Sequence, residues 1–186
     1  GNIIFKNVSF KYPDNEEYIL NKINLNIKSK EKIGIIGPSG SGKSTIMKLL
    51  LRMNKINEGE IFIDNIKINK IPVNYLRSEI TYINQKTTLF NTTVIDNILY
   101  GNEHIEEKDI DNILTKYNLS SVYSGLKKGI YENTGVNGSN LSLGMQKVTI
   151  ILRGIFKKGN IIIFDEPLAG LDSNTRIKIM KLIKDY

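Results

Sequence analysis

The sequence predicts an α/β fold: a core with parallel strands, an antiparallel β subdomain beside it and an inserted helical subdomain. Three observations carry this expectation. A Gly/Ser-rich loop, Gly37 to Thr45, joins the apolar run Lys32-Ile33-Gly34-Ile35-Ile36 to the opening of an amphipathic helix, Ile46 to Leu51. A wholly apolar tetrad, Ile161 to Phe164, runs straight into the acidic pair Asp165-Glu166, as a strand buried on both faces would. Between the two, apolar residues recur at helical spacing, while the first third of the chain alternates with the period of a half-buried strand.

The elements follow in order. Ile3 to Phe10 and Ile23 to Ile27 alternate as strands, separated by the turn-rich Tyr12-Pro13-Asp14-Asn15. Lys32 to Ile36 reads as a short strand entering the glycine-rich loop. Glu60 to Asp64 and Ile66 to Ile68 read as a hairpin around Asp64-Asn65. Val73 to Ser78 reads as a short helix and Ile80 to Ile83 as a strand leading to Gln85. From Val94 to about Gly125 the pattern is helical, with Ile95, Ile98, Leu99, Ile110, Ile113, Leu114, Tyr117 and Leu119 on one face. Gly125 to Asn140 is loop, about Leu143 to Lys157 a helix, and Ser173 onward an amphipathic helix. The expected division is a β-rich core of residues 1–85 and 158–186 around a helical lobe of 86–157. The start at Gly1 and the stop at Tyr186 inside a helical pattern lead us to expect a segment of something longer, truncated at its C-terminus.

Composition narrows the function classes. With 186 residues, 40% of them hydrophobic and 24% charged, the chain can bury a real core. No apolar run is long enough to span a membrane. Cysteine is absent, which excludes disulfides and thiolate metal sites. The formal charge of +7 favours anionic partners. Its lysines are scattered rather than blocked, with no base-stacking aromatics among them, so nucleic acid is not the expected partner.

The loop Gly37-Pro38-Ser39-Gly40-Ser41-Gly42-Lys43-Ser44-Thr45 fits the phosphate-binding pattern G-x-x-x-x-G-K-[S/T] in its strand–loop–helix setting. Glycines let backbone N–H groups approach phosphate oxygens, and the following helix presents its positive end. Lys43 can reach the β- and γ-phosphates and the Ser44 hydroxyl can ligate Mg²⁺. The expected core is therefore that of a P-loop NTPase. Asp165 and Glu166 complete the chemistry: one carboxylate holds the metal through water, and the next polarises an attacking water as general base.

Taken together, the phosphate loop, Gln85, Leu141-Ser142-Leu143-Gly144-Met145-Gln146, Ile161 to Glu166 and Ala169-Gly170-Leu171-Asp172 resemble the nucleotide-binding domain of ATP-binding cassette (ABC) transporters over essentially the whole chain. The resemblance implies further roles. Tyr12 matches the aromatic residue that stacks on adenine, and Gln85 the glutamine that contacts Mg²⁺ and the attacking water. The run Leu89 to Gly101, with Tyr75-Leu76-Arg77 before it, looks like the exporter subtype. There the Leu89-Phe90 loop would receive transmembrane domains; the alternative is that both residues pack inside. Ser142 and Gly144 occupy the signature that faces the γ-phosphate of a second, head-to-tail cassette, and Ala169 to Asp172 the loop that crosses between them.

The chain departs from the family pattern at four places. Leu143 and Met145 replace a glycine and the glutamine of the signature, Val136 stands where a glutamate is usual, and no switch histidine follows Asp172. The single histidine, His104, reads as a surface residue. The resemblance implies an ATPase using ATP and Mg²⁺ at the cytoplasmic face of a membrane. Its partners would be a second ABC domain and transmembrane domains outside this segment. Two other readings are a soluble, non-transport cassette ATPase and a regulatory cassette with little hydrolysis.

Overall fold

A computed structural model describes residues 1–84 and 86–186, which form two compact units, Gly1–Ile80 and Thr81–Tyr186.

The first unit is built on an antiparallel sheet of β1 (Ile3–Phe10), β2 (Leu20–Ile27), β3 (Glu58–Ile63) and β4 (Ile66–Lys67), in the order β2-β1-β3-β4. β1 lies inside because its alternation buries Ile3 and Phe5, which pair with Ile27 and Leu25 on one side and Ile63 and Ile61 on the other. The alternation breaks after Lys6, where Asn7 turns left-handed (φ 47°) and the register with both neighbours shifts. Val8, Ser9 and Phe10 are then buried in succession, the inward re-aiming that a bulge produces. Gly59 crosses this bulge at φ +83°, and a Cβ there would lie 2.3 Å from the Asn7 carbonyl oxygen. Only glycine fits. The Asp64-Asn65 hairpin turn forms as expected, both residues having positive φ (49° and 66°).

Two helices complete the unit, α1 (Lys43–Leu50) and α2 (Val73–Glu79). The end of α1 is tied down by Arg77, whose Nε donates to the Leu51 carbonyl (3.0 Å), and by Arg52, whose Nη1 donates to that of Ile71 (2.6 Å).

One expected element does not form. Residues 32–36 lie outside both sheets and carry no strand. Two of their three isoleucines stand in solvent, Ile36 96% exposed and Ile33 42%, while Ile35 is half-buried. An apolar run has strand propensity, but a strand exists only with a ladder partner.

In the second unit β5 (Ile80–Ile83) pairs with β6 (Ile161–Phe164). Around them lie α3 (Val94–Leu99), α4 (Glu107–Lys116), α5 (Leu143–Phe156) and α6 (Ser173–Asp185). The core includes Ile98, Ile110, Leu119, Val148, Leu152 and Ile179, each fully buried, worth about 1.5–3 kcal/mol apiece. Gly154 lets α5 approach β5, since a Cβ would fall 2.3 Å from the Ile83 Cδ1. The helical stretch from Val94 is broken rather than continuous. Gly101 turns left-handed (φ 73°) after α3, and α4 restarts on a capping box between Glu106 and Asp109. Among the described residues, no helix is long and apolar enough to cross a membrane.

Candidate functional site

The phosphate loop is shaped by its own glycines. Gly40 and Gly42 have φ of +80° and +88°, and a Cβ on Gly42 would meet Leu20 at 2.8 Å and Ile19 at 2.9 Å. A Cβ on Gly37 would meet the Ser41 Oγ at 2.7 Å. The turn closes by a hydrogen bond from the Ser41 N–H to the Pro38 carbonyl (3.3 Å). Gly42 is the N-cap of α1 and has no side chain to cap it, and a helix N-terminus of this kind suits an anionic acceptor. Lys43 Nζ folds back over the loop and donates to the carbonyls of Gly37 (2.9 Å) and Pro38 (2.8 Å). Its ammonium is thereby held at the loop's mouth. Ser39 lies in the bend of the loop and Ser44 in the first turn of α1.

Tyr12 belongs to this site by position. Its hydroxyl lies 3.3 Å from the hydroxyl of Thr45, one turn into α1. Lys48 Nζ donates to the same phenol (3.4 Å) and lies 5.7 Å from the ring centroid. Phe10 meets the ring edge-on at 5.0 Å. The structure thus brings Tyr12, Thr45 and the phosphate loop together. Lys48 and Phe10 are supports that the sequence did not single out, although Lys48 sits one helical turn from Ser44 and so shares its face.

In the second unit Asp165 and Glu166 follow β6 directly. The Asp165 N–H donates to the Ile83 carbonyl (2.9 Å), extending the β5–β6 pairing to the acidic pair. Glu166 is exposed and takes a left-handed backbone (φ 52°), a strained choice for a side chain of this kind. The Tyr82 hydroxyl donates to Asp165 Oδ2 (2.9 Å). Burial, and then the Asp165 carboxylate itself, push the Tyr82 phenol up to about 12, so at neutral pH it is a proton donor. Gln85 lies outside the described residues.

Ser142 is the N-cap of α5, and its Oγ accepts from the Met145 N–H at 3.2 Å. Gly144 is uncrowded: a Cβ there would find nothing nearer than the Ser142 Oγ at 3.8 Å and Leu171 at 4.0 Å. Leu143 stands 69% exposed. Met145 packs on the core and Gln146 is used internally, its Nε2 donating to Gly138 (2.9 Å) and Leu141 (3.1 Å). At the next residue, Lys147 Nζ bonds the Ala169 carbonyl and ties α5 to the loop after Glu166. That loop ends on Asp172, which caps α6 and whose carboxyl is held below the usual range chiefly by its bond from Thr175.

The Leu89-Phe90 pair does not pack inside as a whole. Leu89 is buried, whereas Phe90 is 46% exposed and stacks on exposed Tyr100 at 4.3 Å. Asn97 and Arg153 hold this loop from within: Asn97 exchanges bonds with the Phe90 backbone, and Arg153 lies 5.1 Å from the Phe90 ring.

Mg²⁺ takes few protein ligands and keeps several waters. The Ser44 hydroxyl in the first unit and the Asp165 carboxylate in the second are each a donor of the kind that this habit uses. Among the described residues there is no group of three or more His, Cys, Asp or Glu that could cage a metal alone.

Comparison with known proteins bears on the whole arrangement. The family profile described as "ABC transporter" matches residues 20–169. The chain is 41% identical over 175 residues to the "Multidrug resistance-like ATP-binding protein MdlB" of Buchnera aphidicola subsp. Schizaphis graminum, covering 94% of this chain and 30% of that protein. It is 37% identical over 185 residues to the mitochondrial "Iron-sulfur clusters transporter ATM1" of Candida albicans, covering 99% of this chain and 24% of that one. Among solved structures, a bacterial Atm1-family ABC exporter with ATP bound superposes with a TM-score of 0.87 at 31% identity, over 99% of this chain and 32% of that chain. The chain thus spans a third or less of the length of these relatives. With its phosphate loop, acidic strand end and capped signature turn in the family's order, the chain belongs to the ABC transporter family and is similar to the ATP-binding part of its exporters.

Proposed function

We propose that this chain is the ATPase domain of an ABC exporter-like transporter, in which ATP binding and hydrolysis drive transmembrane domains. The observation that carries this is the phosphate loop: glycine-shaped, headed by Lys43 and flanked within hydrogen-bond reach of α1 by Tyr12. Tyr12 stacks on the adenine, while the loop N–H groups and Lys43 hold the phosphates. Ser44, Gln85 and Asp165 would hold Mg²⁺, which would supply positive charge to the β- and γ-phosphates. Glu166 accepts a proton from the attacking water, with Gln85 orienting it. Ser142 and Gly144 complete the site of a second cassette in a head-to-tail dimer, at the cytoplasmic face of a membrane. In this reading residues 1–85 and 158–186 form the nucleotide core and 86–157 the helical lobe that meets the transmembrane domains.

Glu166→Gln separates binding from chemistry. In the complete protein it should retain ATP affinity by calorimetry while steady-state turnover falls about a thousandfold. Normal turnover would remove Glu166 from the general-base role.

A regulatory cassette with little turnover is the second reading, and exposed Leu143 favours it. A branched side chain stands where an approaching phosphate needs open backbone. ATP binding with no turnover in the complete protein, under conditions where the partner cassette is present, would select it.

A further inference from the structure

We propose that Tyr82 is a positioning residue for the metal-binding carboxylate Asp165, so that its hydroxyl tunes how tightly the domain holds the divalent cation of a nucleotide complex. The inference rests on the reading of Asp165 given above and adds a residue to it. Tyr82 lies in β5 and Asp165 at the end of β6, and the backbone bond from Asp165 N–H to the Ile83 carbonyl (2.9 Å) sets the two strands in register there. Strand alternation then decides which side chains share a face with the acidic end. Ile83 is buried on one side of β5, while Tyr82 is only half-buried and turns its ring to the other. A phenol reaches farther than any aliphatic side chain at that place, and its O–H ends 2.9 Å from Oδ2.

That bond bears on how the carboxylate is oriented. The χ2 of a carboxylate is a broad two-fold torsion. Donation by a fixed phenol holds its plane, so the cation's water shell meets a carboxylate already oriented. Phenylalanine at position 82 would keep the ring packing and lose only this bond.

The test is carried out on the complete protein with Mn²⁺ as a spectroscopic substitute for Mg²⁺. Mn²⁺ affinity of the ATP complex is measured by electron paramagnetic resonance for the parent, Tyr82→Phe, Asp165→Asn and the double variant. Tyr82→Phe should weaken Mn²⁺ binding about three- to tenfold, while affinity for ATP in chelator and the thermal midpoint without nucleotide stay at parent values. In the Asp165→Asn background the same change should have little effect. Parental Mn²⁺ affinity in Tyr82→Phe, or an equal loss with and without Asp165, overturns the inference while leaving the metal role of Asp165 intact. Parental affinity in Asp165→Asn would instead overturn that metal role and the inference with it. Should Tyr82→Phe lower the thermal midpoint, the double-variant cycle still decides, because a general loss of packing does not depend on the carboxylate at position 165.

Discussion

The phosphate loop and the signature turn are both loops that open a helix, yet they are specified in opposite ways. At the phosphate loop the chain's own packing demands glycine: Gly42 is left-handed and hemmed in by Leu20 and Ile19, and Gly37 by Ser41. At the signature turn nothing in the chain demands it: a Cβ on Gly144 would meet no side chain nearer than 3.8 Å, and Leu143 points into solvent. The caps differ in the same sense. Gly42 leaves the head of α1 without a side-chain cap, whereas Ser142 turns its own hydroxyl onto the Met145 N–H and satisfies α5 internally. One loop is shaped from inside and lacks a side-chain cap. The other closes on itself, and any need for small residues there comes from what approaches from outside.

The largest expected effect that would break this contrast is on binding. Lys43→Ala removes an ammonium held over the loop by the Gly37 and Pro38 carbonyls. Loss of charge-assisted contacts to phosphate should weaken ATP about a hundredfold in a calorimetric titration. Unchanged affinity would mean that the loop is not the nucleotide site.

Next in size is a paired stability measurement. Gly42→Ala forces a left-handed alanine against Leu20 and Ile19 and should cost about 2 kcal/mol in denaturant unfolding. Gly144→Ala should stay within about 0.5 kcal/mol of the parent. Equal losses at the two positions would erase the distinction drawn between them.

Leu143→Gly with Met145→Gln sharpens the functional side. If the exposed leucine obstructs a partner's phosphate, turnover in the complete protein should rise severalfold, up to about tenfold (~1.4 kcal/mol). No gain would mean that the two side chains serve this chain's own packing and surface. Smallest is Ser142→Ala, which removes the α5 cap seen at 3.2 Å and should cost about 1 kcal/mol of stability. A loss of turnover much larger than that cost explains would give Ser142 a second role beyond capping.

Much of the fold was legible from local pattern. β1 from Ile3, β6 from Ile161 and the Asp64-Asn65 turn lie where alternation, apolar continuity and turn chemistry put them, because each signal acts over a few adjacent residues. β2 begins at Leu20, earlier than its alternation indicates, since pairing with Phe10 of β1 extends it. The break after α3 was missed because an apolar face continues across it, while Gly101 and the buried amide of Asn102 end the helix.

At the candidate site, local motif chemistry singled out Lys43, Asp165 and Glu166, and the family resemblance added Ser142. That Tyr12 lies against Thr45, that Tyr82 donates to Asp165 and that Phe90 rests between Arg153 and Tyr100 are decided by tertiary structure. Those contacts join residues far apart in the chain, and no periodicity encodes a hydrogen bond across strands. Residues 32–36 give the converse case: their apolar pattern reads as a strand, and they form none in either sheet. Pattern measures a segment's preference; a ladder partner, which only the folded chain can supply, decides whether that preference is met.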